Sequence, residues 1–183
     1  MLHLSSFIRL STIIVFFSLL QLQCRKQENG YQMPYHSTPN TQYDIPVGLD
    51  PLASWYAKLN GISTDTALFF STHNISASQL GRITPYTMYL RAVYQDGGYE
   101  DVSSVEVSIS DPNRPTLPEQ VIFYNDAVLP NTGTQITLVP VDVDVTPYLI
   151  AGKNFTLKTR FRFRNITQRT ITTGWNMAFF ARY

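Results

Sequence analysis

Residues 158–164 read KTRFRFR and residues 140–146 read PVDVDVT, and both stretches alternate strictly between two kinds of side chain. In the first, basic residues alternate with Thr159, Phe161 and Phe163, and in the second, aspartates alternate with valines. Successive side chains of a β-strand point to opposite faces of its sheet. Each stretch therefore predicts a strand with one apolar face in a core and one charged face outside it.

The opposite charges of the two stretches also suggest how these strands pair. If they are antiparallel neighbours, a register that sets valine against phenylalanine also pairs Asp144 with Arg162 and Asp142 with Arg164. Facing opposite charges contribute about 0.2–1 kcal/mol per pair, whereas each buried Phe or Val contributes about 1.5–3 kcal/mol. Burial of the apolar face therefore sets the register, and the charge match mainly penalises wrong registers.

Most of the chain after residue 66 has the same strand-like character, with period-two alternation or β-branched and aromatic runs. We predict seven strands, at residues 67–72, 87–95, 102–110, 120–125, 135–145, 154–164 and 170–182. The fold class expected is all-β, an antiparallel β-sandwich of the jelly-roll or immunoglobulin-like kind. QDGGYED, at residues 95–101, predicts a hairpin turn, and the three prolines of residues 110–119 predict a long crossover between sheets.

One short helix and one tether complete the prediction. In LDPLASWYAKLNG, residues 49–61, Asp50 can cap a helix, Pro51 suits its first turn, and apolar residues follow at helical spacing. Residues 25–48 are polar, contain three prolines and show no apolar period, which is typical of an extended tether.

The N-terminus has the features of an export signal. An apolar run of 13 residues, 10–22, is shorter than the roughly 20 that a membrane-spanning helix needs, and Cys24 follows it. The arrangement resembles the bacterial lipoprotein signal, which implies cleavage after residue 23 and a lipid on Cys24. The domains expected are then a signal peptide at 1–23, a lipid-anchored tether at 24–48 and one sandwich domain at 49–183. An ordinary secreted protein and an uncleaved anchor are the alternatives.

Two stretches within the predicted domain resemble known families. Leu80 precedes Tyr86 by six residues, and alternating apolar residues follow, which is similar to the tyrosine corner of fibronectin type III domains. Residues 144–157, DVTPYLIAGKNFTL, resemble a late strand-turn-strand of galactose-binding-like jelly rolls. Both resemblances imply a β-sandwich, and neither implies a ligand.

The basic row of residues 158–164 has two interpretations. In the first, it is the solvated face of a strand, and its charges pair with acids on the neighbouring strand. In the second, it is a surface on which cations exceed these acids, so that Lys158, Arg160 and Arg169 are spare. As a binding surface it would meet an anionic glycan, a lipid headgroup or an acidic protein partner. The candidate contact residues are Lys158, Arg160, Arg162, Arg164, Tyr94, Tyr99 and Tyr124.

The residue inventory argues against catalysis, metals and cofactors. His73 is the only histidine of the predicted domain, and no cysteine follows Cys24. Asp96, Glu100 and Asp101 lie close in sequence, but without the regular spacing of a calcium loop. After loss of the signal the chain carries 13 basic and 13 acidic residues, so a nucleic-acid partner is not expected.

The function expected is that of a non-catalytic lipoprotein of the cell envelope, at the outer membrane or cell surface. It would present its sandwich for binding or structural contacts. One alternative is a carbohydrate-binding module of a surface glycan system, with loops around Tyr94, Tyr99 and Tyr124 forming its groove. Another is a small outer-membrane β-barrel, since GWNMAFFARY, residues 174–183, alternates and ends on an aromatic residue as barrel closing strands do.

Overall fold

The structure is a computed structural model that describes residues 29–94 and 97–183; Cys24 and the predicted signal lie outside this part of the chain. Its strands are β1 (Gly30–His36), β2 (Tyr43–Ile45), β3 (Trp55–Ser63), β4 (Arg82–Ala92), β5 (Val102–Ser110), β6 (Gln120–Asn125), β7 (Gln135–Pro140), β8 (Asn154–Phe163) and β9 (Ile171–Arg182). Its α-helices are α1 (Thr66–His73) and α2 (Thr146–Ile150), and two short 3-10 helices lie at Pro39–Thr41 and Ala77–Gln79.

The strands form one curled antiparallel sheet with the order β1-β9-β4-β7-β6-β5-β8-β3, and β2 also pairs with β9. We call β1, β2, β9, β4 and β7 the β9 half, and β6, β5, β8 and β3 the β8 half. The halves join through a short pairing of β6 with β7, where Phe123 lies opposite Pro140 and Tyr124 opposite Val139. The predicted all-β fold class, an antiparallel β-sandwich with a short helix, is confirmed.

Aromatic side chains fill the space between the two halves. Their ring centroids lie 5.5 Å apart for Tyr35 and Phe155, and 6.4 Å apart for Phe123 and Phe179. Phe161 and Phe163 of β8 point into this core while Arg162 is exposed, as the alternation predicts. Each such buried ring contributes about 1.5–3 kcal/mol through the removal of apolar surface from water.

The predicted tether is wrong for residues 30–45, because this range contains the strands β1 and β2. Both pair with β9, and Met33 and Tyr35 of β1 are buried together with Ile45 of β2. β1 lies at an edge of the sheet, where Pro34 can occupy a strand because its missing N–H interrupts no central ladder. The apolar positions are too few, and too interrupted by proline, to show a period in the sequence.

The predicted helix at 49–61 is wrong, because residues 55–63 form β3 and pair with β8. The same letters fit a period of two, since Ala57 faces the core while Tyr56 and Lys58 face solvent. Asp50 accepts a hydrogen bond from the Leu52 N–H within a turn. Pairing with β8 therefore overrides the helical spacing of the apolar residues.

The predicted strand at 67–72 is the helix α1. It lies between Asp65 and Asn74, which are both in the left-handed region, and the Asn74 N–H donates to the carbonyl of Phe70. Only Phe69 of this helix is buried. The apolar run therefore has no buried stripe of either period, so the sequence pattern could not indicate its conformation.

The hairpin turn predicted at residues 95–101 and the crossover predicted at residues 110–119 are both wrong, because each connection has the role predicted for the other. β4 lies between β9 and β7 whereas β5 lies between β6 and β8, so the β4–β5 connection crosses between halves instead of forming a hairpin. Residues 110–119 instead join the neighbours β5 and β6. Turn residues indicate where a chain reverses, but they do not determine which strand lies beside the next one.

The predicted pairing of residues 140–146 with β8 is also wrong. β7 ends at Pro140, and β8 pairs with β3 and β5. Asp142 instead forms an ion pair with Arg82 at 3.0 Å, and an Asp144 carboxylate oxygen accepts the Thr146 N–H at the start of α2. Lys158 and Arg160 of β8 pair with other acids, Glu119 and Glu106, as described below.

The β5–β6 loop is held by the buried carboxylate of Asp111. Its oxygens accept hydrogen bonds from Arg114 Nε at 2.7 Å and from the Asn113 N–H at 2.8 Å. Burial on its own would raise the pKa of Asp111, but the Arg114 hydrogen bond, the Asn113 N–H and the Arg114 charge together lower it. Arg114 also donates to the Pro147 carbonyl, which ties the loop to α2.

We predict that the Asp111 carboxylate stabilises the fold above the ordinary aspartate pKa of 3.8, and that this contribution is lost as the pH falls through its lower folded-state pKa. Asp111→Asn should therefore lower the free energy of unfolding by about 1–3 kcal/mol at pH 7. The difference from the unmodified protein should shrink below about pH 4. Urea unfolding across this range measures it, with exposed Asp126→Asn as the control; an equal deficit at pH 7 and pH 3 would contradict the assignment.

Candidate functional site

The outer surface of the β8 half carries most of the predicted contact residues. We call it the cation face, and it consists of Tyr56, Lys58, Glu106, Tyr124, Lys158, Arg160 and Arg162. These side chains share one face because they alternate along their strands with core residues such as Ala57 and Phe161. The same alternation that builds the core therefore places the basic residues outside it.

One row of this face crosses four neighbouring strands. Tyr56 lies opposite Arg160, Arg160 opposite Glu106, and Glu106 opposite Tyr124. Arg160 donates to a Glu106 carboxylate oxygen at 2.9 Å, and each of these two side chains is about one-third exposed. The Arg160 charge is therefore matched within the sheet, as the structural interpretation of the basic row requires.

Lys158 is matched in a different way. It lies opposite Lys58 on β3, so two like charges face each other. The Lys158 ammonium reaches the Glu119 carboxylate at 3.2 Å and lies 5.1 Å from the centre of the Tyr56 ring. An exposed ion pair and an exposed cation–π contact contribute up to about 1 kcal/mol each, which offsets the repulsion.

Arg162 and Lys58 are the spare cations. Both are exposed, and neither forms a hydrogen bond or ion pair with another residue of the described chain. Arg162 lies opposite Ser104, which carries no charge. The four cations of this face are matched by Glu106 on the face and by Glu119 beside it, which leaves an excess of two positive charges. The three cations that the sequence suggests as spare are each matched by an acid. Lys158 and Arg160 pair with Glu119 and Glu106, as described above. Arg169 lies 3.8 Å from Glu100.

Arg164 does not belong to the cation face. Its guanidinium donates to the backbone carbonyls of Val102 and Val128, which ties the end of β8 to the start of β5 and to the segment after β6. It is only partly exposed. Arg164 is predicted to be a contact residue, but its guanidinium is used to hold the backbone together.

The three predicted tyrosines do not form a common groove. Tyr99 is fully buried and its hydroxyl donates to Thr173 Oγ1 at 3.2 Å, so its prediction as a contact residue is wrong. Burial raises the pKa of the Tyr99 hydroxyl, against which the Thr173 hydrogen bond acts weakly. Tyr94 is exposed after β4 on the β9 half, and Tyr124 is half-buried on the cation face.

Tyr56 is a candidate contact residue that sequence reasoning missed. It is 49% exposed on the cation face, but the helical spacing around it predicts a buried stripe. The available signal was the alternation of Tyr56 and Lys58 with Ala57. A strand interpretation of residues 55–63 would have found it.

Other titratable residues that the sequence analysis singled out form contacts within the fold. The Asp101 carboxylate accepts hydrogen bonds from Asn165 Nδ2 and the Gln168 N–H, whereas Asp96 lies outside the described residues. His73 stacks on Tyr31 with ring centroids 3.9 Å apart. Within residues 29–94 and 97–183, no group of three His, Cys, Asp or Glu side chains could hold a metal ion.

Comparisons with known proteins add little to this geometry. No family model and no curated protein matches the chain. Among solved structures, dimeric latent PorU from Porphyromonas gingivalis is similar over 85% of this chain, with 11% identity and a TM-score of 0.27. The chain covers 13% of that protein's chain, and a similarity at this TM-score carries no argument about fold or function. None of the helices in the described residues has the length and apolar character to cross a bilayer.

We predict that Arg164 stabilises the fold and that Arg162 does not. Arg164→Met keeps the aliphatic stem but removes the donors to two backbone carbonyls, so the free energy of unfolding should fall by about 1.5–3 kcal/mol. Arg162→Met, two positions away on the exposed face, should change it by less than about 0.5 kcal/mol. Urea unfolding of both variants tests this, and equal effects would show that the two arginines do not differ in role.

Proposed function

We propose that this protein is a non-catalytic, cell-envelope lipoprotein whose sandwich binds an anionic glycan through the cation face. The observation that carries the proposal is the pair of spare cations, Lys58 and Arg162, on the same face as the exposed Tyr56 ring. Two unmatched cations beside an exposed aromatic ring give this face both charge and an apolar plane to offer a ligand.

The arrangement of the charges favours a polymer over a small anion. Side chains on one face of a strand recur about every 6.8 Å and neighbouring strands lie about 4.8 Å apart, so the cations are spread over a surface and do not converge on one point. Repeated anionic groups along a chain complement such a surface. Tyr56 offers an aromatic plane on which the apolar face of a sugar ring can pack.

The lipid anchor would hold the sandwich close to a membrane. Six positions separate Cys24 from Gly30, where β1 begins. A fully extended chain of that length spans at most about 20 Å. If Cys24 is lipidated, the sandwich lies beside the bilayer and not at the end of the long tether predicted above.

We predict that the full-length protein in detergent binds acidic polysaccharide such as polygalacturonate, and that binding weakens as salt is added because exposed charges are screened. The double variant Lys58→Ser/Arg162→Ser should bind about 2- to 30-fold more weakly, since each exposed charge contact contributes about 0.2–1 kcal/mol. Titration calorimetry at low and high salt measures both effects.

The matched control is Arg91→Ser/Lys153→Ser, which removes two exposed cations elsewhere on the molecule. It should bind as the unmodified protein does. An equal loss in both double variants, or no binding of the acidic polymer, would contradict the proposal. If the unlipidated Cys24→Ser protein binds phosphatidylglycerol vesicles but not phosphatidylcholine vesicles in the absence of detergent, and Lys58→Ser/Arg162→Ser removes that binding, the ligand is a lipid headgroup and not the polymer.

Lipidation is tested separately. We predict that cells fed an alkyne-labelled fatty acid incorporate the label into the protein, and that Cys24→Ser abolishes incorporation because the chain then has no thiol. The variant should also move from the membrane to the soluble fraction. Labelling that persists in Cys24→Ser would show that Cys24 is not the lipidated residue.

A further inference from the structure

A second surface feature lies on the outer face of the β9 half, away from the cation face. It is a depression of about 360 Å³, lined by Thr84, Pro85, Tyr86, Asp142, Phe180 and Arg182. Small-molecule sites typically enclose about 300–1,000 Å³, so this depression is large enough for a ligand of the size of a sugar unit.

A β-bulge in β4 builds one wall of the depression. Pro85 lies opposite Phe179 and Thr87 opposite Ala178, so Tyr86 is an extra residue without a partner on β9. As a result Tyr86 and Thr87 both face solvent, between the buried Pro85 and Met88. Bulges of this kind redirect side chains and are frequent beside functional sites.

Two aromatic rings form the apolar part of the depression. Tyr86 is 45% exposed, and its ring centroid lies 5.9 Å from that of Phe180 with the planes tilted by 39°. Phe180 covers Gly30 on β1 so closely that a Cβ there would lie 2.5 Å from a ring atom. The missing side chain of Gly30 therefore leaves the space that the Phe180 ring occupies.

Charged groups of both signs stand at the rim. The Asp142 side chain is 82% exposed and is held by Arg82 at 3.0 Å. Arg182 also lines the depression and lies directly opposite Arg82 in the pairing of β4 with β9. The rim therefore offers a carboxylate that accepts hydrogen bonds and a guanidinium that donates them.

We propose that this depression binds the pyranose ring of a neutral glycan. A pyranose ring has apolar C–H faces, which match the Tyr86 and Phe180 rings, and a rim of hydroxyls that both donate and accept hydrogen bonds, which match Asp142 and Arg182. The site is independent of the proposed cation face, because it lies on the other half of the sheet and uses stacking in place of excess charge.

The test is saturation-transfer NMR and titration calorimetry of the full-length protein with four neutral probes: the trisaccharides of glucose, galactose, mannose and N-acetylglucosamine. We expect at least one to bind, with its C–H protons receiving saturation from aromatic side chains. Tyr86→Ala should weaken binding about 2- to 13-fold, as loss of an aromatic contact does, whereas Tyr86→Phe should change it by less than about twofold.

Two further measurements distinguish binding at this site from binding at the cation face. Binding should be insensitive to salt and unchanged in Lys58→Ser/Arg162→Ser, and it should weaken in Asp142→Asn, whose amide accepts hydrogen bonds less strongly. The proposal is overturned if none of the four trisaccharides binds at about 10 mM. It is equally overturned if Tyr86→Ala, shown by thermal melting to be folded, binds as the unmodified protein does.

Discussion

The aromatic layer between the two halves of the curled sheet is the interaction on which the rest of the structure depends. β6 and β7 join the halves through only two residue pairs. Side-chain packing adds to this connection, since Phe179 of β9 meets Phe123 of β6 and Tyr35 of β1 meets Phe155 of β8. Because these rings occupy the inner faces, every charged residue on the same strands must lie outside.

This constraint explains why the proposed binding surfaces are where they are. β8 places its phenylalanines in the core and its basic residues on the opposite face, so one strand supports both the fold and the cation face. The face is partly neutralised by Glu106 and Glu119. The positive charge that remains unmatched is that of Lys58 and Arg162. Lys58 comes from β3, a strand that the sequence pattern predicts as a helix.

The strands β1 and β2 change the expected relation between anchor and domain. Their pairing with β9 places the start of the sandwich near Cys24 in sequence. They also contribute Tyr35 and Ile45 to the core, and Gly30 to the surface beneath Phe180. Residues that resemble a spacer by composition are therefore part of the domain that they were expected only to carry.

Local periodicity was enough to predict the strands β5, β6, β8 and β9 to within a residue, and with them the outward direction of Arg160 and Arg162. The reason is that alternation with a period of two is a property of a single strand, visible without its neighbours. Strand pairing is different, because which strand lies beside another depends on contacts between residues that are far apart in the sequence. The partners Glu106 and Glu119, the strand β3 and the bulge at Tyr86 depend on such contacts, so they became visible only once the sheet was assembled.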